Sequence, residues 1–537
     1  MSKDLGATRT RTGGVIDAMQ NPALYNHPVQ SFSLIETHIS WVLLTGSYAY
    51  KIKKPVDLGF LDFSSLDKRK FYCFEELRLN RRFAPHMYLE VVSIRGTPEC
   101  PCFGGSGEII EYAVKMREFS QSCLLSNIAD EQQLQTMHVD SLADVISKFH
   151  QKTDVAEHDN HNSIVDSIFN WSRDNFETLE STMPESVLPE YFASLKAWCL
   201  GLNFERRSYM EQRLENGFIR ECHGDLHLGN IALIDGQVTL FDGIEFNPQL
   251  RWIDTMSEVA FVVMDLCVRG YSHFAWRLIN HYVSASGDYL GIKILRYYVV
   301  YRALVRAKIE ALGVTPAKIH NSSQKPPFRD AIRYLDLAQF WIADTRPAII
   351  VMHGLSGSGK STIASQLAEQ LGGIQIRSDV ERKRLFDLKP HDQSDSSLEQ
   401  GIYTSDATLQ TYARLADLAD KLVKAGVTVI VDASFLKRCY RNQFKRLARK
   451  NRAAYIVLCC NAPINELRDR INQRCATHQD PSEANIEVLE QQLLSQDPLS
   501  TKELNNTFTV NCSEPDINQE QLFAIEQQIN ATKVNPG

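Results

Sequence analysis

The sequence has no apolar run long enough to cross a bilayer. Its densest apolar stretch, Val259 to Val268, is short and carries Asp265, whereas a spanning helix needs about 20 apolar residues. No apolar segment follows Met1-Ser2-Lys3-Asp4 either, so a secretory leader is not expected and a cytoplasmic protein without a membrane partner is. Positive charge is not in excess: 58 Lys and Arg against 65 Asp and Glu leave a formal charge of −7, which disfavours a chain devoted to wrapping nucleic acid. Zinc-type spacing is missing as well. The 12 cysteines are scattered, and Cys100-Pro101-Cys102 and Cys459-Cys460 lack a second pair of ligands, so they read as reduced thiols.

What is present is an ordinary globular composition, 44% apolar and 23% charged over 537 residues, enough for roughly three to four compact units. Within it, Gly354 to Ser361 follows the pattern G-x-x-x-x-G-K-[ST]. An apolar run, Ala348 to Met352, precedes it, and a helical segment ending at Gly372-Gly373 follows. Such a strand-turn-helix aims backbone N–H groups and a helix N-terminus at nucleotide phosphates. Gly354, Leu355, Ser356, Gly357, Ser358, Gly359, Lys360, Ser361 and Thr362 are therefore the expected ATP contacts. Lys360 is expected on the β- and γ-phosphates and Ser361 on Mg²⁺.

Further along, the short strand Ile374 to Ile376 delivers Asp379 and Arg382, three apart on one helical side. They suit a base and an acceptor clamp. The apolar strand Val427 to Val431 ends in Asp432, an expected member of the Mg²⁺ shell. Arg468, Arg470 and Arg474 lie on a helix leading to Gln479-Asp480-Pro481-Ser482, where arginines could close over a transferring phosphoryl group. Arg438, Arg441, Lys445 and Arg449 make a basic stripe on one helix face. No aromatic residues interleave to stack bases, so a solvated face is favoured over a polynucleotide track.

A second constellation occupies the first half. Lys51 and Lys53 leave the strand Tyr48 to Lys53 on one face, and Glu76 lies mid-helix in Ser65 to Phe83. The order Ala49-Tyr50-Lys51 resembles the strand lysine of kinase-like folds, which favours Lys51 over Lys53, with Glu76 as the carboxylate that would hold it. His223-Gly224-Asp225-Leu226-His227-Leu228-Gly229-Asn230 is followed by Phe241-Asp242-Gly243. Phosphoryl transfer to a hydroxyl needs a carboxylate to orient the hydroxyl proton and ligands for Mg²⁺. Asp225 would do the first, Asn230 and Asp242 the second, and Asp254 is expected to order their loop.

On these motifs, residues 37 to about 310 resemble the aminoglycoside phosphotransferase and choline kinase branch of the kinase-like fold. The resemblance implies ATP held between two lobes, although no Gly-rich loop stands at Thr45-Gly46-Ser47. Residues 347 to about 512 resemble P-loop kinases grouped with zeta toxins, polynucleotide 5′-kinases and gluconate kinases, with Asp379 and Arg382 on the acceptor and Arg470 or Arg474 as lid groups. Together the halves resemble bacterial proteins that fuse an aminoglycoside phosphotransferase-like domain to an AAA-type ATP-binding kinase domain.

The expected architecture is multidomain, α/β and α+β. A flexible segment, 1–28, would precede a bilobal kinase-like domain, 29–312, with a small mixed lobe at 29–118 and a helical lobe at 119–312. A linker and connecting helix, 313–346, would lead to a P-loop domain with a mostly parallel sheet, 347–537. The function these readings support is Mg²⁺-ATP-dependent transfer, at two sites, to hydroxyls of small molecules or nucleotides. The alternatives are that one half is a nucleotide-gated regulator, or that the P-loop half acts on RNA ends or as a toxin-like kinase.

Overall fold

The computed structural model describes residues 14–59, 61–157, 161–201, 203–314, 326–343, 346–394, 400–477, 480–514 and 516–531. Residues 1–13 of the segment expected to be flexible, and 315–325 and 344–345 of the expected linker, lie outside the described residues. The chain divides into two compact units: Met1–Asp265 with Tyr301–Ile332, and Leu266–Val300 with Arg333–Gly537. The helical stretch 266–300, expected in the helical lobe of the first half, thus belongs with the P-loop.

The first unit opens with β1 (Ser33–Glu36), β2 (Ser40–Leu44), β3 (Tyr48–Lys53), β4 (Tyr88–Thr97), β5 (Cys100–Phe103) and β6 (Ile109–Arg117), an antiparallel sheet in the order β1-β2-β3-β6-β4-β5. Alternation along β3 sorts its side chains between the sheet faces. Tyr50 and Ile52 join Trp41 and Leu43 against Val15, Ile16 and Met19. The residues just past position 13 are therefore anchored in a core, where mobility was expected. Ala49 takes the other face, packing with Cys73 and Leu77 of helix α1 (Leu66–Asn80), and Lys51 and Lys53 share it. Helix α1 starts where the Ser65 hydroxyl accepts from the Lys68 N–H at 3.3 Å, a standard N-cap.

After α2 (Thr136–Lys152), the chain forms two small antiparallel pairs, β7 (Ile219–Glu221) with β10 (Trp252–Asp254) and β8 (Ile231–Ile234) with β9 (Gln237–Leu240). The loop 222–230 hangs between β7 and β8. It rests on α3 (Thr255–Val268), whose residues from Met256 to Leu266 are buried.

The second unit is a five-stranded, all-parallel sheet. Its strands are β11 (Ala348–His353), β12 (Gly373–Arg377), β13 (Thr428–Asp432), β14 (Ala454–Asn461) and β15 (Thr507–Asn511), in the order β12-β13-β11-β14-β15. Every residue of the central β11 is buried, as expected of a strand covered on both faces. Helices α4 (Ser272–Ser286), α6 (Lys360–Leu371), α7 (Ser378–Leu385), α8 (Ser405–Lys424), α9 (Arg438–Lys450), α10 (Ile464–Thr477) and α11 (Ile486–Ser495) belong to this unit, and α5 (Ile292–Leu312) runs from it into the first. The carboxyl ends of β11, β12 and β13 converge, which is where open α/β sheets place ligands.

Helix α9 corrects the expectation of a solvated basic stripe. Arg441 is fully buried: its Nε donates to Glu503 Oε1 at 2.7 Å, and one guanidinium nitrogen reaches the carbonyls of Phe435 and Leu436 at 3.0 and 3.1 Å. That arginine fastens the helix to its own unit, and the row of four does not form a continuous exposed track.

Candidate functional site

In the first unit, Lys51 lies 2.8 Å from Glu76 and 2.5 Å from Asp242. Lys53 lies 2.7 Å from the other Glu76 oxygen and pairs with Glu245. Glu76 is wholly buried and serves both lysines. Its burial would raise its pKa, yet the two ammonium groups hold it down at about 2. Lys51 behaves as the counterpart: burial disfavours its charge, but Asp242 and Glu76 prevail and raise its pKa well above the ordinary value. Both lysines are thus built in, and Lys51 is the one that meets Asp242.

Asp242 takes φ +62° and its N–H donates to the Tyr88 hydroxyl at 3.0 Å. The next amide, of Gly243, donates to Asn80 Oδ1 at 2.8 Å. Asn230 Nδ2 donates to the Asp225 carbonyl at 2.9 Å and to its carboxylate at 3.1 Å. The Phe241 N–H to Asn230 carbonyl bond, 3.0 Å, joins the two stretches. Asp225, Asn230 and Asp242 are therefore held by one bonded framework, with the Asp225 and Asp242 carboxylates about two-fifths exposed.

The loop is ordered differently from the expectation. Asp254 pairs with Arg213 at 2.6 Å and caps the Met256 N–H at 2.9 Å, so it anchors the start of α3. Glu258 and Asp265, one and three turns further along α3, hold the loop: Glu258 accepts from the His223 N–H at 2.7 Å, and Asp265 from the Leu228 N–H at 2.9 Å. His150 meets Glu258 at 3.0 Å from below. Asp254 sat closest to the motif in sequence; helical spacing from 254 to 258 and 265 was the signal available.

The turn at Thr45-Gly46-Ser47 has two of its amides engaged within the protein. Its Thr45 and Gly46 N–H groups donate to Glu118 at 2.9 and 2.7 Å. The register pairs Lys53 with Ser40, so the turn at the lysine end of β3 is the one at residues 37–39.

In the second unit, a cleft of about 350 Å³ gathers Ser356, Gly357, Gly359, Lys360, Ser361, Thr362, Asp379, Arg382, Asp432, Arg470 and Arg474. Gly354, Leu355 and Ser358 complete the loop behind it. Gly354 (φ +153°) leaves no room for a side chain: a Cβ would stand 2.6 Å from the Cys460 carbonyl oxygen. Lys360 donates to the Leu355 carbonyl at 2.7 Å. Burial lowers its pKa, partly opposed by Asp432. Asp432 shows the mirror effect, burial raising its pKa while Arg377 and the Ser361 hydroxyl pull it down.

Arg382 is buried over the Tyr403 ring, with one guanidinium nitrogen on the Ile402 carbonyl at 2.9 Å. Arg470 reaches the Cys512 carbonyl at 2.7 Å, and Arg474 the Ala484 carbonyl at 2.6 Å. Gln479, at the start of the segment expected to act with them as a lid, lies outside the described residues. Arg377, at the polar end of β12 that the sequence aimed at ligand, and Gln492 also line the cleft, and Gln375 lies behind it. Arg377 bridges Asp432 and Asp480 at 3.7 and 3.3 Å; Gln492 accepts from the Ser356 N–H at 2.8 Å; Gln375 contacts Asp432 from behind.

The residues expected on metal, Asn230 and Asp242 in one site and Ser361 and Asp432 in the other, are oxygen donors. That donor chemistry fits Mg²⁺ rather than a softer metal. The glycine cradle at Gly354, Gly357 and Gly359, all with positive φ, fits a polyphosphate laid against backbone N–H groups. Among the described residues, no helix is long and apolar enough to cross a membrane.

The model of an AAA domain matches residues 349–499, from β11 to just past α11. Over 457 residues the chain is 28% identical to the uncharacterized protein Rv2004c of Mycobacterium tuberculosis, an alignment spanning 84% of this chain and 89% of that protein. Among solved structures, a choline/ethanolamine kinase family protein from Mesorhizobium loti is similar over 62% of this chain and 94% of its own, at 10% identity and a TM-score of 0.37. A sugar kinase from Janibacter sp. HTCC2649 is similar over 35% of this chain and 96% of its own, at 24% identity and a TM-score of 0.26.

Proposed function

We propose that the chain is an ATP-dependent phosphotransferase with two nucleotide sites, each passing a γ-phosphoryl group to a hydroxyl of a small molecule or nucleotide. The observation that carries this reading is the P-loop cleft, where residues from separate stretches (356–362, 379–382, 432 and 470–474) meet around one volume. Nothing in a merely structural loop requires Lys360, Asp379, Asp432 and two arginines to face the same space.

In the P-loop site, the backbone cradle and Lys360 bind the phosphates, Asp379 orients the acceptor hydroxyl and takes its proton, and Arg382 fixes the acceptor. Arg470 and Arg474, which line the cleft, meet the charge that develops on the transferring group in this reading. Ser361 and Asp432 would hold Mg²⁺, which offsets phosphate charge when bound. In the first unit, Lys51, kept in place by Glu76, meets the phosphates, Asp225 orients the acceptor, and Asn230 and Asp242 would hold the metal. The complete Lys51-Glu76-Asp225-Asn230-Asp242 set supports turnover at this site over a purely regulatory role.

The test is transfer of labelled γ-phosphate from ATP into a mixed metabolite and RNA pool by the full chain, by Asp225→Ala and by Lys360→Ala. Each variant is expected to lose a different labelled product, by about 10²–10⁴ in rate for the lost base at Asp225. Identical product sets from all three proteins would overturn the reading. Loss of every product in Lys360→Ala, with none lost in Asp225→Ala, would make the first unit a regulator.

A further inference from the structure

Strand β12 is an edge of the parallel sheet, and an edge presents backbone groups that need partners. Two of them are met by one side chain, 95 residues earlier in the chain. Asn280 of α4 accepts from the Gln375 N–H through Oδ1 at 2.7 Å and donates to the Gly373 carbonyl through Nδ2 at 2.9 Å. A side-chain amide carries a donor and an acceptor on two neighbouring atoms, so it can continue the ladder where an ionised carboxylate, which only accepts, cannot.

The residue fixed in this way points at the phosphate machinery. Gln375 Nε2 donates to Asp432 Oδ2 at 3.0 Å and to the carbonyl of Ser361 at 3.3 Å. One amide thus ties the end of β13 to the first turn of α6. Helix α4 braces the same corner twice more: Arg277 pairs with Glu369 of α6 at 2.6 Å, and the Ser284 carbonyl accepts from Arg384 of α7, the helix that carries Asp379 and Arg382, at 2.5 Å. A turn at Gly287 (φ +79°) permits that approach, since a Cβ there would meet Arg384 at 2.5 Å.

We propose that Asn280 and Gln375 are positioning residues for the metal side of the P-loop site, so that Mg²⁺-nucleotide binding at Ser361 and Asp432 depends on a helix lying outside residues 349–499. The proposal rests on the phosphotransferase reading of that site. It follows that the functional P-loop unit includes α4, which a cut at residue 346 would remove.

The experiment measures binding of mant-ATP by the full chain against Mg²⁺ concentration, taking as the signal the part that Lys360→Ala abolishes. Outer-shell partners of metal ligands are typically worth about 10–100-fold in metal affinity or activity. Gln375→Leu is therefore expected to raise the half-saturating Mg²⁺ concentration about tenfold or more, with binding in EDTA unchanged. Asn280→Ala is expected to shift it in the same direction by a smaller factor.

A purely structural role would lower the thermal midpoint and weaken binding equally with and without Mg²⁺. That pattern, or an unmoved Mg²⁺ midpoint in Gln375→Leu, overturns the proposal. Should Asn280→Ala not fold, Gln375→Leu still decides, because the N–H of residue 375 and the Gly373 carbonyl keep their bonds to Asn280. Wild-type binding that does not depend on Lys360 would sink the phosphotransferase reading of the P-loop and this proposal with it; Lys360-dependent binding with unmoved midpoints sinks the proposal alone.

Discussion

Lys51 in the first unit stands among carboxylates, with Asp242 at 2.5 Å and Glu76 at 2.8 Å, whereas Lys360 in the second rests on the carbonyl of Leu355 at 2.7 Å. Burial opposes both charges, but only Lys51 has neighbours strong enough to reverse it. Its pKa is raised, and that of Lys360 is lowered. The first site is therefore an ion-pair network already neutralised within the protein. The second is a glycine-rich backbone turn whose lysine rests on a main-chain carbonyl. The two should fail in different ways: the network by losing stability when a partner is removed, the cradle by losing affinity when its curvature is spoiled.

The largest effect is expected from Glu76→Gln. It removes the charge shared by two buried lysines, and breaking a buried pair typically costs about 3–5 kcal/mol. Calorimetry of the full chain should show the first unit melting earlier, with Lys360-dependent nucleotide binding preserved. A shift below about 1 kcal/mol would mean that Glu245 and Asp242 alone satisfy the lysines, and the contrast between the units would weaken.

Next in size is Gly354→Ala. The added Cβ would fall 2.6 Å from the Cys460 carbonyl and 2.8 Å from Ser358 Oγ, contacts that must be relieved by moving the loop. A loss of nucleotide affinity of about 10–100-fold, equivalent to roughly 1.4–2.7 kcal/mol, is expected with little change in melting. Gly46→Ala is the matched control. Gly46 also has positive φ (+90°), but its nearest neighbour, the Gln30 Cβ, is 3.6 Å away. Only the left-handed backbone penalty of about 1–2 kcal/mol applies there. Equal effects of the two substitutions on nucleotide binding would show that the hairpin turn also cradles phosphate.

The same difference explains what could be read from the sequence. The P-loop is contiguous, and its local geometry follows from glycine spacing, so Gly354 to Thr362 was legible residue by residue. Lys51, Glu76, Asp225, Asn230 and Asp242 were named from separate motifs, and the structure brings Lys51 to Glu76 and Asp242, and Asn230 to Asp225. What escaped was set by long-range pairing. Asn280 has no local pattern that assigns it to the edge of a strand 95 residues away. Periodicity placed Arg441 on a charged face, but burial against Glu503 depends on a partner far along the chain. Asp254 alone was expected to order the loop; that Glu258 and Asp265 hold it depends on where β10 gives way to α3, a boundary that propensity fixes only to within a few residues.

The smallest predicted effect sets two histidines against each other. His227 lies 3.5 Å from Asp225, and although burial disfavours its protonation, that carboxylate raises its pKa. A raised folded-state pKa gives stability that is full below the unfolded value, about 6.5, and is lost as pH rises through the folded one. His353, at the end of β11, is shifted the other way by burial, despite its contact with the Phe435 carbonyl at 3.1 Å. Its unfolded form takes up a proton first, so it lowers stability as pH falls below about 6.5. Melting of His227→Gln and His353→Gln relative to wild type between pH 5 and 8 should give slopes of opposite sign. Because Asp225 is substantially exposed, the His227 arm is limited to about 0.2–1 kcal/mol. Slopes of the same sign would mean that burial outweighs the carboxylate at His227 as it does at His353, and the contrast between the two histidines would be lost.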